Sequence, residues 1–266
     1  MTAVRSNGTV RVEGRGAVTT MVLDRPLRLN AMSAAMSRDV RSALADIAAS
    51  GARALVVRGE GSAFSAGADL HSLDDDIDLD DASAVRDYVM GWSNNVLALR
   101  ALPMPSIAAV EGPAYGGGFS FALACDVVIA ASTARFNTQY VNIGINPDLG
   151  SSWTLPRAIG PALARYQMLR GSEISGTEAH RIGMVAEVTE PGRAAARAHE
   201  LAAELAARSP SSVASIRALL ESASSGTLEA AMADEATAIA AAFATPDFRA
   251  ALSAFRAGRA ETESAS

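Results

Sequence analysis

Two periods run through the apolar positions of this chain, and they divide it into elements. Residues 9–13 and 17–23 alternate apolar and polar side chains on either side of Gly14 and Gly16, which predicts a hairpin. Met36, Val40, Leu44 and Ile47 recur at helical spacing, so a helix is predicted over 33–50 with Ser33 as its N-cap. A buried strand over 54–57 follows, then a loop punctuated by Gly59, Gly61 and Gly67. A second unit repeats the plan: helix 83–100, strand 107–110, a glycine loop, a short helix and strand 127–131. Strands that alternate with helices imply parallel pairing in an α/β fold.

The strand signal ends after Pro191. Helices are predicted over 194–208, along the stripe Leu228, Met232, Ala236, Ile239 and Phe243, and over 246–257, with a disordered tail at 258–266. Two regions are therefore expected, 1–195 and an all-helical 196–266. The apolar stripe of the second leaves two options, its own core or a neighbouring subunit.

Composition closes several routes. The 266 residues are 49% hydrophobic and 20% charged, enough for a large buried core. A formal net charge of -6 argues against nucleic acid as the main partner, because phosphate binding needs a basic face. All 23 basic residues are arginine, so a lysine Schiff base or lysine general base is excluded. Cys125 has no internal disulfide partner and sits in an apolar stretch, where it reads as a packed thiol in a reducing compartment. Residues 1–8 lack the apolar run of a signal peptide, and nowhere do about 18 apolar residues follow one another. The expectation is a cytoplasmic protein with no membrane partner.

Candidate chemistry lies in three loops. Ala63-Phe64-Ser65-Ala66-Gly67-Ala68-Asp69-Leu70 follows a strand, its small residues let backbone N–H groups approach a ligand, and Asp69 could cap the next turn. Glu111-Gly112-Pro113-Ala114-Tyr115-Gly116-Gly117-Gly118 lies between a strand and a helix, where free N–H groups can hold an anion or a carbonyl oxygen. Gly144-Ile145-Asn146-Pro147-Asp148-Leu149-Gly150-Ser151 is turn-rich and carries one carboxylate. A dinucleotide fingerprint from Gly59 fails because its third glycine would fall on Phe64, and a phosphate loop ending in Gly-Lys is impossible without lysine. His71, His180 and His199 sit in no triad setting. The acidic run 74–81, with six aspartates, lacks the glycine and terminal glutamate of a calcium loop, so it reads as a solvated loop and no metal site is expected.

Taken together, these segments resemble the crotonase (enoyl-CoA hydratase/isomerase) family. Arg25-Pro26-Leu27-Arg28-Leu29-Asn30-Ala31 is similar to its N-terminal element, and the first two glycine loops are similar to its oxyanion-hole loops. Residues 136–156 resemble its catalytic loop, residues 247–259 its C-terminal helix, and the order is the family's. The resemblance implies a ββα spiral with a C-terminal helical trimerisation region, assembled as a homotrimer or a hexamer. It implies an acyl-CoA thioester as substrate, with no further cofactor. The thioester oxygen would sit between the N–H groups of Ala68 and Gly117, where each preorganised donor is worth about 3–4 kcal/mol as charge develops. Adenosine would lie against Arg28, Leu29 and the loop of Ala66, Gly67, Asp69 and Leu70, with Tyr115 and Gly116 on the second loop.

The sequence departs from the family's hydratases at the two glutamates that add water. Motif alignment puts Ser120 and Tyr140 at those positions. Serine does not ionise near neutral pH, and tyrosine at a pKa of about 10 is a poor base. Asp148 remains, at a position similar to the aspartate of dienoyl-CoA isomerases and of a ring-epoxide isomerase of the family. The favoured expectation is an enoyl-CoA double-bond isomerase with Asp148 as base and then acid. Ser120 and Tyr140 would contact substrate, and Trp153 would bound an apolar pocket around Asp148. The alternatives are a weak or atypical hydratase, and a non-catalytic acyl-CoA-binding protein.

Overall fold

Every residue of the predicted apolar stripe Met36, Val40, Leu44 and Ile47 is buried, and this stripe decides which way the first helix faces. Full burial of each such side chain contributes about 1.5–3 kcal/mol. The Ser33 hydroxyl accepts the Met36 N–H at 3.2 Å and caps the helix start. A computed structural model describes residues 3–6 and 8–264, with side chains from 8 to 257.

The strands are β1 (Ala3–Ser6), β2 (Val10–Arg15), β3 (Val18–Leu23), β4 (Ala54–Gly59), β5 (Ser106–Val110), β6 (Pro113–Tyr115), β7 (Val127–Ala131), β8 (Arg135–Asn137), β9 (Ile174–Ser175) and β10 (Glu187–Thr189). The helices of the first part are α1 (Ala34–Ala49), α2 (Leu73–Asp76), α3 (Ala82–Arg100), α4 (Gly117–Leu123), α5 (Ser151–Ile159), α6 (Pro161–Arg170), α7 (Gly176–Arg181) and α8 (Ala194–Ala206). The main sheet has the order β1-β2-β3-β4-β5-β7-β10, antiparallel from β1 to β3 and parallel from β3 onward. A small sheet, β6-β8-β9, holds the site loops. The predicted hairpin is β2–β3, and the predicted parallel pairing is β4–β5–β7.

Alternation along β4 sends its residues to two cores. Leu55 and Val57 face the large core with α1 and α3, while Ala54 and Val56 face a second cluster that includes Ala194, Ala198, Ala202 and Ala206 of α8. Those alanines, four apart, form a smooth stripe that lets α8 lie close against the sheet. This corrects the expected division at 195/196. The chain splits into Met1–Ala206 and Ala207–Ser266, because α8 belongs to the sheet's core.

The second unit consists of α9 (Pro210–Ala223), α10 (Leu228–Phe243) and α11 (Pro246–Ser264). Phe243 stacks on Phe248 at 4.4 Å, while Leu228, Met232 and Ile239 are exposed on α10. The last helix runs past 257 to Ser264, where a disordered tail was expected. The Ala, Arg and Glu residues around Gly258 are good helix formers, and one glycine costs only about 1 kcal/mol. Residues 265 and 266 of that tail, like 1, 2 and 7, lie outside the described residues. Among the described residues, no helix is long and apolar enough to cross a membrane.

Candidate active site

The two glycine loops meet because their backbones press against each other. Tyr115 N–H donates to Ser65 O at 2.9 Å, and Ser65 and Ala114 form a parallel bridge. Gly67 has φ +84°, and a Cβ there would stand 2.6 Å from the Tyr115 carbonyl and 3.3 Å from the Gly117 nitrogen. Gly116, at φ +50° and ψ −118°, turns the chain into α4 through a conformation open to glycine alone. No hydrogen bond among the described residues takes up the N–H of Ala68 or of Gly117, and both residues line one cavity of about 130 Å³.

A buried polar brace sets the first loop. The Asn30 amide donates to Glu60 O at 2.9 Å and to Ala63 O at 2.8 Å, and accepts the Arg25 N–H at 2.9 Å. Arg25 pairs with Asp69 at 2.7 Å, and Met32 N–H donates to Gly67 O at 2.8 Å. Burial alone would raise the Asp69 pKa, but the Arg25 guanidinium prevails and holds it below the usual aspartate range. Asp69 was expected in the substrate-contacting loop, yet its side chain is buried in this pair and leaves the cavity wall to its neighbours.

The opposite wall comes from the segment between β8 and α5. Gln139 at φ +58° starts the 3-10 turn Tyr140–Ile143, and Leu149 at φ +48° precedes α5. Between them, Asp148 closes the turn with its backbone carbonyl, which accepts Ser151 N–H at 3.0 Å. Its side chain turns instead to Tyr140, whose hydroxyl donates to Asp148 Oδ1 at 2.7 Å and lies 2.6 Å from Ser120 Oγ. Burial raises the Asp148 pKa above the usual aspartate range, and the Tyr140 hydrogen bond only moderates that rise. Tyr140 is itself raised, by burial first and by the Asp148 charge second.

Of the residues singled out by sequence, Ala66, Gly67, Ala68, Leu70, Gly116, Gly117, Tyr140 and Asp148 line the cavity. Ser120 is buried behind Tyr140, and the Tyr115 side chain leaves for Glu173. Arg28 and Leu29 lie on an exposed turn outside the cavity, joined to it where Ala66 N–H donates to Leu29 O at 2.9 Å. Trp153 does not bound Asp148. The guanidinium carbons of Arg157 and Arg100 lie over its ring, 3.9 Å and 5.0 Å from the ring centroid.

The aromatic wall is supplied by Tyr88 and Trp92 of α3, together with Met32, Val89, Gln139, Ile143, Ile145 and Leu149. Ile145 and Leu149 belong to the third loop singled out by sequence, whereas Met32, Tyr88, Val89 and Trp92 were not picked out beforehand. The sequence carries a trace of this wall in Tyr88 and Trp92, one turn apart on one helix face, a pattern that marks a core as readily as a cavity. Among the described residues lining the cavity, Asp148 is the one carboxylate.

Comparison with known proteins agrees with this architecture. Residues 13–262 match the family model described as enoyl-CoA hydratase/isomerase. The chain is 34% identical over 247 residues to the 1,2-epoxyphenylacetyl-CoA isomerase of Escherichia coli, covering 91% of this chain and 93% of the relative. It is 31% identical over 250 residues to the short-chain-enoyl-CoA hydratase of Clostridium acetobutylicum, covering 92% and 94%. The solved structure of an enoyl-CoA hydratase from Polaromonas sp. JS666 superposes with a TM-score of 0.88 at 35% identity, over 94% of this chain and 98% of that one.

Proposed function

The chain belongs to the enoyl-CoA hydratase/isomerase family, and from that premise we propose that it is an enoyl-CoA isomerase using Asp148 as its base. The observation that carries this reading is that Asp148 is the one carboxylate among the described residues of the cavity wall. In a 3-enoyl-CoA, Asp148 removes a proton from the carbon next to the thioester. The electron pair moves onto the thioester oxygen, held by the N–H groups of Ala68 and Gly117. Asp148 then returns the proton two carbons further along, which leaves a 2-enoyl-CoA. One base suffices, and nothing is consumed.

The raised Asp148 pKa suits both halves of the step, since burial makes the carboxylate a stronger base than an ordinary aspartate while the acid form can still return the proton. The apolar lining from Leu70, Val89, Trp92 and Leu149 keeps water from competing for the dienolate. Arg28 and Leu29 would receive the adenosine end at the exposed turn. The exposed apolar side chains of α10 support assembly into trimers or hexamers through the Ala207–Ser266 unit.

Hydration is the second reading, favoured by the name of the Clostridium relative. It requires Asp148 to activate water while a second group protonates carbon, and the Tyr140 hydroxyl already donates its hydrogen bond to Asp148. Incubation with a 3-enoyl-CoA tests the proposal. Accumulation of 2-enoyl-CoA without 3-hydroxyacyl-CoA supports isomerisation. Tight binding without turnover would leave a non-catalytic acyl-CoA binder.

A further inference from the structure

We propose that Tyr140 and Ser120 are positioning residues that orient the Asp148 carboxylate, tying down Oδ1 and leaving Oδ2 to carry the migrating proton. The step that this proton serves rests on the isomerase reading; the orientation rests on the hydrogen bonds alone. Tyr140 has a single hydroxyl proton, and it is donated to Oδ1 at 2.7 Å. The Tyr140 oxygen is then an acceptor for Ser120 Oγ at 2.6 Å, so the chain runs Ser120 to Tyr140 to Asp148. The carbonyl of Gly116, 3.2 Å from Ser120 Oγ, competes for the serine proton. Among the described residues, Tyr140 is the one side chain that donates to the Asp148 carboxylate, and the other donor is the backbone N–H of Asp148 itself.

Both supporting groups are out of water, Ser120 fully and Tyr140 all but 4%. Solvent therefore cannot replace either bond, and each donor strengthens the next in a medium of low polarity. The backbone fixes the ring as well: Tyr140 N–H donates to Thr138 O at 2.8 Å, and Ile145 N–H donates to Tyr140 O at 3.0 Å. Left-handed backbone at Gln139 and Leu149 is strained for residues with a Cβ, and the surrounding contacts must offset that strain to hold this loop. Tyr140 therefore supports the base, where the sequence had placed it and Ser120 among the substrate contacts.

During turnover the C2–H bond breaks, an Oδ2–H bond forms, and the electron pair passes to the thioester oxygen. Return at C4 reverses each change. The groups around Asp148 are Tyr140 from the 3-10 turn, Ser151 from α5, whose hydroxyl donates to the Asp148 carbonyl and bears on Tyr140, and Tyr88 from α3, on which Asp76 and Asp69 also act. Of these, Tyr140 is the side chain that favours the ionised carboxylate against burial, with the Asp148 backbone N–H as a lesser donor.

Tyr140→Phe removes the hydroxyl and keeps the ring, and Ser120→Ala removes the donor behind it. Asp148 is followed by the carboxyl 13C shift of labelled aspartate across pH in the unliganded protein, beside kcat and KM. Tyr140→Phe should move the Asp148 titration to higher pH and lower kcat about tenfold, with KM within about twofold. Ser120→Ala should shift the titration in the same direction by less, and it serves alone if the first variant does not fold. Titration unmoved in the folded variants overturns the proposal, whether or not the wild type isomerises. A moved titration in a protein without isomerase turnover sustains the positioning chain and sinks the isomerase reading instead.

Discussion

The two walls of the cavity are built on opposite principles. The wall of Ala66, Gly67, Ala68, Gly116 and Gly117 works by the absence of side chains, and its chemistry is backbone N–H. The wall from Gln139 to Leu149 works through side chains, and it concentrates the cavity's acid–base chemistry in Asp148 and Tyr140. The first must be rigid and has few allowed sequences. The second can change residue by residue while the fold stands. That difference explains how one family can include a relative named for isomerisation and another named for hydration.

Substitutions on each wall should break different things. The largest effect belongs to Asp148→Asn, which keeps shape and removes basicity. Isomerase turnover should fall at least about a hundredfold while binding of a CoA thioester persists, as read by steady-state kinetics and calorimetry. Unchanged turnover would remove Asp148 from the reaction.

Next in size is the brace under the backbone wall. Arg25→Ala leaves Asp69 buried without its cation and should cost about 2–3 kcal/mol, discounted for the partial exposure of Arg25. The sign follows from the depressed Asp69 pKa: the pair's contribution is complete above the ordinary aspartate range and fades as pH falls through the folded value. Urea melts should show the wild-type advantage narrowing toward acid. An advantage independent of pH would assign it to packing.

Gly67→Ala probes the same wall from its inner face. A Cβ 2.6 Å from the Tyr115 carbonyl, at φ +84°, should cost about 2 kcal/mol of stability and reduce kcat/KM about tenfold by displacing Ala68. Wild-type kinetics in this variant would show that the wall yields without loss.

The smallest effect is a gain. Burial raises the Asp148 pKa, so folding is opposed once pH rises through the ordinary aspartate value toward the folded one. Asp148→Asn removes that opposition, and its Tm should exceed the wild type's by a few degrees at neutral pH and match it in acid. Equal Tm at both pH values would mean that the carboxylate is better solvated than its burial implies.

How legible each wall was follows from the same contrast. Glycine in series after a strand is a steric signature, so Gly67, Gly116 and Gly117 could be read directly from the chain. The α1 stripe and the parallel strands were legible for a similar reason, because burial imposes a period. Trp153 was misplaced because loop proximity does not say which face of α5 a ring takes, and the arginines at 100 and 157 draw it away. Tyr88 and Trp92 were unread because an aromatic pair on a helix looks the same whether it meets a core or a cavity. The Tyr140–Asp148 bond was hidden by a turn that, besides Gly144 and Gly150, takes left-handed backbone at Gln139 and Leu149, where no glycine announces it. The small sheet β6-β8-β9 escaped for want of length, since strands of two or three residues show no period.

The central claim is that a single supported carboxylate moves a proton but does not add water, and the wild-type protein tests it without mutation. The rate of hydration of crotonyl-CoA is measured beside the rate of isomerisation of a 3-enoyl-CoA of matched length, both as kcat/KM at neutral pH. The account predicts isomerisation faster by at least about a hundredfold. Hydration at a comparable rate would show that Asp148 serves water addition unaided, and would contradict the account.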